Sequence, residues 1–221
     1  MSVASHPGDE TLLRYAAGTL PAGPRLVVDV HLEGCPACRA MVRAFEAVGG
    51  RLLEEMAPAP LADRALERAL SAVSGAPAPA RPSMGVSPSR LPAGLVLPPG
   101  VALPRPLAAR RIGALVPVAP GVRVGRVHVP EDPDANVLLL RIGAGRAIPR
   151  HTHVGMEFTQ VICGAFGDPL GHYGPGDLVE AGDDVDHSPE VDADAECVCV
   201  AAFEGRVRFH GLLGLVMRPF I

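Results

Sequence analysis

The stretch HLEGCPACRA, residues 31–40, sets His31, Cys35 and Cys38 at the spacing H-x3-C-x2-C. Thiolates and imidazole nitrogens are the donors tetrahedral zinc takes, but a closed structural site needs four of them. The same residues could instead be a redox pair beside a histidine, or small buried thiols. In the flanking stretch GPRLVVDVHLEG, residues 23–34, Leu26, Val27, Val30 and His31 share one helical face, and Gly34 ends the run. Pro36 suits the first turn of a following helix, which continues through Met41, Val42, Phe45 and Val48 towards Met56. His31 therefore leaves the end of one helix while Cys35 and Cys38 open the next, where the positive helix end favours thiolates.

Two further helices complete this part. DETLLRYAAGTL, residues 9–20, offers Asp9 as a cap and is closed by Gly18 and Pro21. LADRALERALSAV, residues 61–73, carries its leucines and alanines on one side and its charges on the other. His6 precedes the first helix by about one turn and is the only other histidine in this half, which makes it the best candidate for the fourth donor. The stretches HPGDETLLRYAAGTL (6–20) and LVVDVHLEGCPACRA (26–40) resemble the zinc-binding anti-sigma domain, especially its ChrR-like branch. The resemblance covers roughly residues 4–75 and implies that His6, His31, Cys35 and Cys38 hold zinc.

Composition separates this helical part from the rest of the chain. Between Ala76 and Leu107 there are nine prolines and no acidic residue, a linker composition that favours extended chain. The expected division is a zinc-binding helical domain at 1–75, a Pro-rich linker at 76–106 and a second domain at 107–221. The first 75 residues carry seven arginines against nine acids, and residues 107–221 carry ten against fifteen, with no lysine anywhere. Neither half has the basic excess that phosphate-backbone binding requires, so nucleic acid is excluded as a direct ligand and H-x3-C-x2-C is not read as a nucleic-acid finger. No signal-peptide pattern and no bilayer-length apolar run is present, so a cytoplasmic protein with reduced cysteines is expected.

In the second half, GRAIPRHTHVGMEFTQVICG, residues 145–164, places His151, His153 and Glu157 at positions of equal strand parity, so three nitrogen and oxygen donors face one way. The stretch fits the first cupin motif, G-x5-H-x-H-x3-E-x6-G, at every defining position. The second motif, counted from Gly176, ends at His187, although Gly182 and Asp184 replace its usual Pro and Gly. NVLLLRI, GDLVEAG, ECVCVAAF and RVRFHGLLGLVM read as strands with turns between them. An all-β cupin barrel (double-stranded β-helix, jelly roll) is therefore expected after the all-α domain. His151, His153, Glu157 and His187 would hold a second divalent metal, read as zinc, although the donor set also suits manganese, iron, nickel or copper. Cys163, Cys197 and Cys199 are read as small core residues, and His128, His172 and His210 as histidines without a ligand role.

The order of helical zinc domain, Pro-rich tether and cupin is similar to ChrR-like anti-sigma factors over nearly the whole chain. That resemblance implies a regulator, not an enzyme, that sequesters an extracytoplasmic-function (group IV) sigma factor, as a 1:1 heterodimer, through its N-terminal helices. Release would follow an oxidative, singlet-oxygen-type signal received by the cupin. A second class keeps the cupin as a metal-dependent oxygenase or isomerase with an accessory zinc domain. Within the first class, oxidation of Cys35 and Cys38 to a disulfide is an alternative signal.

Overall fold

The computed structural model describes residues 3–75, 91–183, 185–205 and 207–209. Residues 76–90 of the Pro-rich segment, Asp184, His210 and the apolar run after it lie outside the described residues.

The first part consists of α1 (Asp9–Ala16), α2 (Ala22–Gly34), α3 (Pro36–Glu55) and α4 (Ala65–Gly75). Gly8, not Asp9, occupies the cap of α1, leaving Asp9 and Glu10 in the first turn, where acidic side chains suit the helix dipole. A single extended residue, Cys35, separates α2 from α3, and its Sγ accepts the Cys38 N–H at 3.5 Å. This thiol cap and Pro36 at the first helical position together set the sharp turn between the two helices. The fourth helix begins at Ala65 rather than at the expected Leu61. Arg64 has φ 59, a left-handed conformation that breaks the run, and Ala62 O accepts the Ala65 N–H in a turn.

Most of the second part is strand: β1 (Val116–Ala119), β2 (Val122–Arg126), β3 (Asn136–Ile142), β4 (His151–His153), β5 (Glu157–Cys163), β6 (Phe166–Asp168), β7 (Gly171–Tyr173), β8 (Leu178–Ala181), β9 (Glu190–Val191), β10 (Cys197–Phe203) and β11 (Val207–Phe209). They form an antiparallel six-stranded sheet in the order β1-β2-β3-β10-β5-β8, a three-stranded sheet β7-β6-β9 and a pair β11-β4. Isolated bridges His151↔His187 and Ala147↔Glu190 tie the segments of the two smaller sheets to each other.

The centre of the six-stranded sheet, β3, β10 and β5, is buried on both faces, which accounts for strands that read as almost unbroken apolar runs. Along β10, Cys197, Cys199 and Ala201 join Val124, Leu138, Leu140, Ile142 and Val161 in an inner core. The intervening Val198, Val200 and Ala202 join Leu26, Val27 and Val30 of α2, with Val137, Leu139, Phe158 and Leu178, in an outer core. Helix α2 thus packs across β5 and β10. Each fully buried valine or leucine in such a layer contributes about 1.5–3 kcal/mol, so the helical part and the sheet are joined by a sizeable hydrophobic contact.

The later half of the Pro-rich segment packs as well. Leu95 and Leu107 enter the outer core, and a short helix α5 (Arg105–Ala108) lies beside α2, with the Arg105 amide donating to Glu33 Oε2 at 2.7 Å. Prolines remove amide donors but leave the intervening leucines free to bury, so this stretch follows the surface without joining a sheet.

Gly164, just past β5, sits where two stretches of chain approach closely around the inner core. It has φ +73, and a Cβ there would lie 2.2 Å from Glu196 O. Gly164→Ala is expected to destabilise the fold by more than the ~1–2 kcal/mol of the left-handed conformation alone, read as a lowered midpoint in thermal unfolding.

Candidate functional site

The first centre lies where α2, α3 and the N-terminal segment meet. His31 comes from the last turn of α2, Cys35 from the junction and Cys38 from the first turn of α3, all three buried. His6 reaches the same point from the segment before α1 and stays exposed. The donor atoms of His6, His31, Cys35 and Cys38 all lie within 4.8 Å of one another. His6 Nδ1 is 3.4 Å from both Sγ atoms, and His31 Nε2 is 3.3 Å from Cys38 Sγ. Zinc bonds of the usual length in tetrahedral geometry put sulfur and nitrogen donors about 3.5 Å apart. The residues present fit the ion.

The electrostatics point the same way. Burial lowers the His31 pKa, and the Gln160 hydrogen bond only partly offsets it, so the ring is neutral, as a metal ligand must be. Burial, then the neighbouring Cys35, push the Cys38 thiol up to about 12. A divalent cation at the centre is what would hold that sulfur as a thiolate.

His6 is held in place by the sheet. Asp177 Oδ1 accepts the amides of Ala4 and Ser5 at 2.7 and 2.8 Å, and Ser5 Oγ donates to Leu178 O. The Leu178 amide returns a bond to Ser5 O, so residues 4–5 pair with the start of β8.

The second centre lies between the sheets. His151 and His153, two apart on β4, project to the same side, Glu157 opens β5, and His187 is fixed by reciprocal backbone bonds to His151. All four side chains are buried or nearly so, and their donor atoms converge within 4.8 Å. Thr159 donates to Glu157 Oε1 at 2.8 Å, but Glu157 Oε2 has no hydrogen-bond partner among the described residues. It nevertheless lies 2.7, 3.5 and 3.9 Å from the Nε2 atoms of His153, His151 and His187. The Nε2 atoms of His153 and His187 are themselves 3.2 Å apart.

Each ring has an acceptor behind it: His151 Nδ1 faces Pro149 O, His153 Nδ1 faces Gly182 O and His187 Nδ1 faces Asp168 Oδ2. Protons on Nδ1 leave three Nε2 lone pairs and one carboxylate oxygen around a single point, an arrangement suited to a divalent cation. Burial would raise the Glu157 carboxyl, yet the three histidines hold it well below the usual carboxylate range. For His187, burial lowers the pKa, but Glu157 and Asp168 outweigh it and raise it.

The structure brings together both sets of four residues singled out in the sequence. Around the second set lies a cavity walled by Val124, Leu138, Leu140, Phe166 and Val179, with Cys199 in its wall. Cys163 and Cys197 are buried in the two cores. His172 forms an exposed pair with Asp192 at 3.0 Å, and Asp186 pairs with Arg150 at 2.8 Å. The supporting residues Asp168, Gln160, Asp177 and Thr159 escaped the sequence reading. Only Thr159 had a signal, its equal parity with Glu157; the others act across 19 to 173 residues of chain.

These features define a two-part protein: helices around a cysteine–histidine centre, packed on a cupin-like β part with a three-histidine, one-glutamate centre. A family model for the ChrR cupin-like domain matches residues 113–205, and one described as "Putative zinc-finger" matches residues 10–39. The anti-sigma-E factor ChrR of Cereibacter sphaeroides is 36% identical over 100% of this chain and 99% of its own length. A chain of the crystal structure of Rhodobacter sphaeroides SigE in complex with the anti-sigma ChrR is 32% identical at a TM-score of 0.70, with 92% of this chain and 100% of that chain covered. The chain belongs to the ChrR family of anti-sigma factors, regulators rather than enzymes. The zinc-finger match and the histidine–cysteine cluster together support zinc in the helical part. No helix among the described residues is long and apolar enough to cross a membrane.

Asp168 lies behind His187 with its carboxylate fully buried and also accepts the Leu170 and Gly171 amides. Asp168→Ala is expected to weaken metal retention by the second centre about 10–100-fold, measured as metal per chain after equilibration with a graded chelator.

Proposed function

We propose that this protein sequesters an extracytoplasmic-function sigma factor in the cytoplasm, as a 1:1 complex, and releases it when the cupin part receives an oxidative signal. In this reading the first 75 residues are the sigma-binding unit, held by zinc on His6, His31, Cys35 and Cys38. The Pro-rich stretch 76–106 connects them to a cupin unit at 107–221, closed as a jelly-roll barrel. There His151, His153, Glu157 and His187 hold a second divalent ion, read as zinc. The partner assignment is supported by the related crystal structure, in which ChrR is in complex with SigE.

The observation that carries the reading is the uncovered apolar face of the helical part. Leu66, Leu70 and Val73 of α4 are 67, 58 and 76% exposed, and Leu52, Leu53 and Met56 at the end of α3 are about as open. Apolar side chains at that spacing gain little in a lone helix and suit docking in a groove of another protein. The second centre, buried in the β part, suits reception of the signal.

Two experiments test this. Leu66→Arg with Leu70→Arg should weaken binding to the cognate sigma factor by at least about 30-fold, as expected for interface hot spots, with metal content unchanged, by calorimetry on the purified proteins. Equal affinity for the sigma factor would remove α4 from the interface. Elemental analysis should find two divalent metal ions per chain and one in a His153→Ala/Glu157→Gln variant. That variant should still inhibit sigma-dependent transcription in vitro but no longer respond to singlet oxygen generated in cells.

A further inference from the structure

Strand β5 carries functional side chains on both of its faces. Glu157 and Thr159 point into the second centre, while Phe158 and Gln160 point the other way, into the layer shared with α2. Gln160 is 2% exposed, and its Nε2 donates to Val161 O at 3.0 Å. That bond fixes the orientation of the amide, so Oε1 faces the helices and meets His31 Nδ1 at 3.0 Å. An oxygen acceptor there requires the His31 proton to sit on Nδ1, which leaves Nε2 deprotonated and aimed at the cluster, 3.3 Å from Cys38 Sγ. The opposite tautomer would point an N–H at the sulfurs and remove a donor from the site.

Building on the zinc reading of the helical centre, we infer that Gln160 is a positioning residue of that zinc site, supplied by the cupin part, so that zinc retention depends on the two parts remaining docked. The same dependence extends to His6, because Asp177 and Leu178 hold residues 4 and 5 against β8, the sheet neighbour of β5. Two of the four donors are thus aligned by adjacent strands of the sheet. Strand β5, carrying Glu157 at one end and Gln160 three residues on, is common to both centres. A displacement of β5 at the second centre moves the acceptor that sets the His31 tautomer.

The test uses the full-length protein with Gln160→Met, which keeps the volume but removes the acceptor, and Gln160→Glu, which keeps the acceptor. Cobalt is loaded in place of zinc, and the thiolate-to-cobalt absorption band reports only on a site with cysteine ligands. Zinc affinity is then read by competition with a chromogenic chelator. Gln160→Met should lose about 10–100-fold in affinity and show a weakened, shifted band, while Gln160→Glu stays within a few-fold of the parent. Parental affinity and band in Gln160→Met overturn the inference, as do equal losses in both variants, which would mean that Gln160 acts only through packing. If Gln160→Met does not fold, Asp177→Ala replaces it: this change, outside both donor sets, removes the acceptor of the Ala4 and Ser5 amides and should also loosen zinc, and unchanged affinity counts against the inference. A parent protein with no thiolate band, or a Cys35→Ser/Cys38→Ser variant with an undiminished one, overturns the zinc reading itself.

Discussion

The packing of α2 on the outer face of the six-stranded sheet is the contact on which the other features depend. It buries Leu26, Val27 and Val30 against Val198, Val200 and Ala202, and it gives β10 an apolar neighbour on both faces. The end of α2 carries His31, so the same contact brings a proposed zinc ligand within hydrogen-bond distance of Gln160. A helix packed elsewhere would leave His31 without an acceptor and the outer face of the sheet exposed to water. The Arg14–Glu204 pair at 2.7 Å and the anchoring of residues 4–5 on Asp177 add polar ties across the same boundary.

The two centres follow one design rule in different materials. In the β part, each histidine is backed by a carbonyl or carboxylate oxygen, so three Nε2 atoms are left free to converge on Glu157 Oε2. In the helical part, an amide oxygen plays that role behind His31, while the Cys38 amide in the first turn of α3 donates to Cys35 Sγ. Buried donors oriented in this way keep little freedom to turn away, and the energetic cost of their mutual crowding falls when a cation sits between them. The exposed leucines of α3 and α4 form a contrast: they are the part of the helical surface that the sheet does not cover.

Much of this organisation was legible in the chain. Helix boundaries followed from Gly18, Gly34 and Pro36, and the equal parity of His151, His153 and Glu157 put three donors on one side of their strands. His187 was reachable by spacing alone, because the count from Gly176 survives even though Gly182 and Asp184 stand where the motif has Pro and Gly. The start of α4 was not legible, since Arg64 adopts φ 59 without a glycine to signal it. Nor was the packed half of the Pro-rich segment, where the proline count hid Leu95 and Leu107.

By itself, the sequence determined which histidines, cysteines and glutamate converge in two groups, the helical and strand periods and the order of the two parts, because each depends on spacings of a few residues that local geometry converts into direction. Only the tertiary structure decided that the parts share one apolar layer, that Asp168 backs His187 and that Gln160 backs His31 from 129 residues away. Such pairs are set by which faces of the sheet and helices exclude water together, and a buried amide or carboxylate bears no mark in sequence of the partner it will meet.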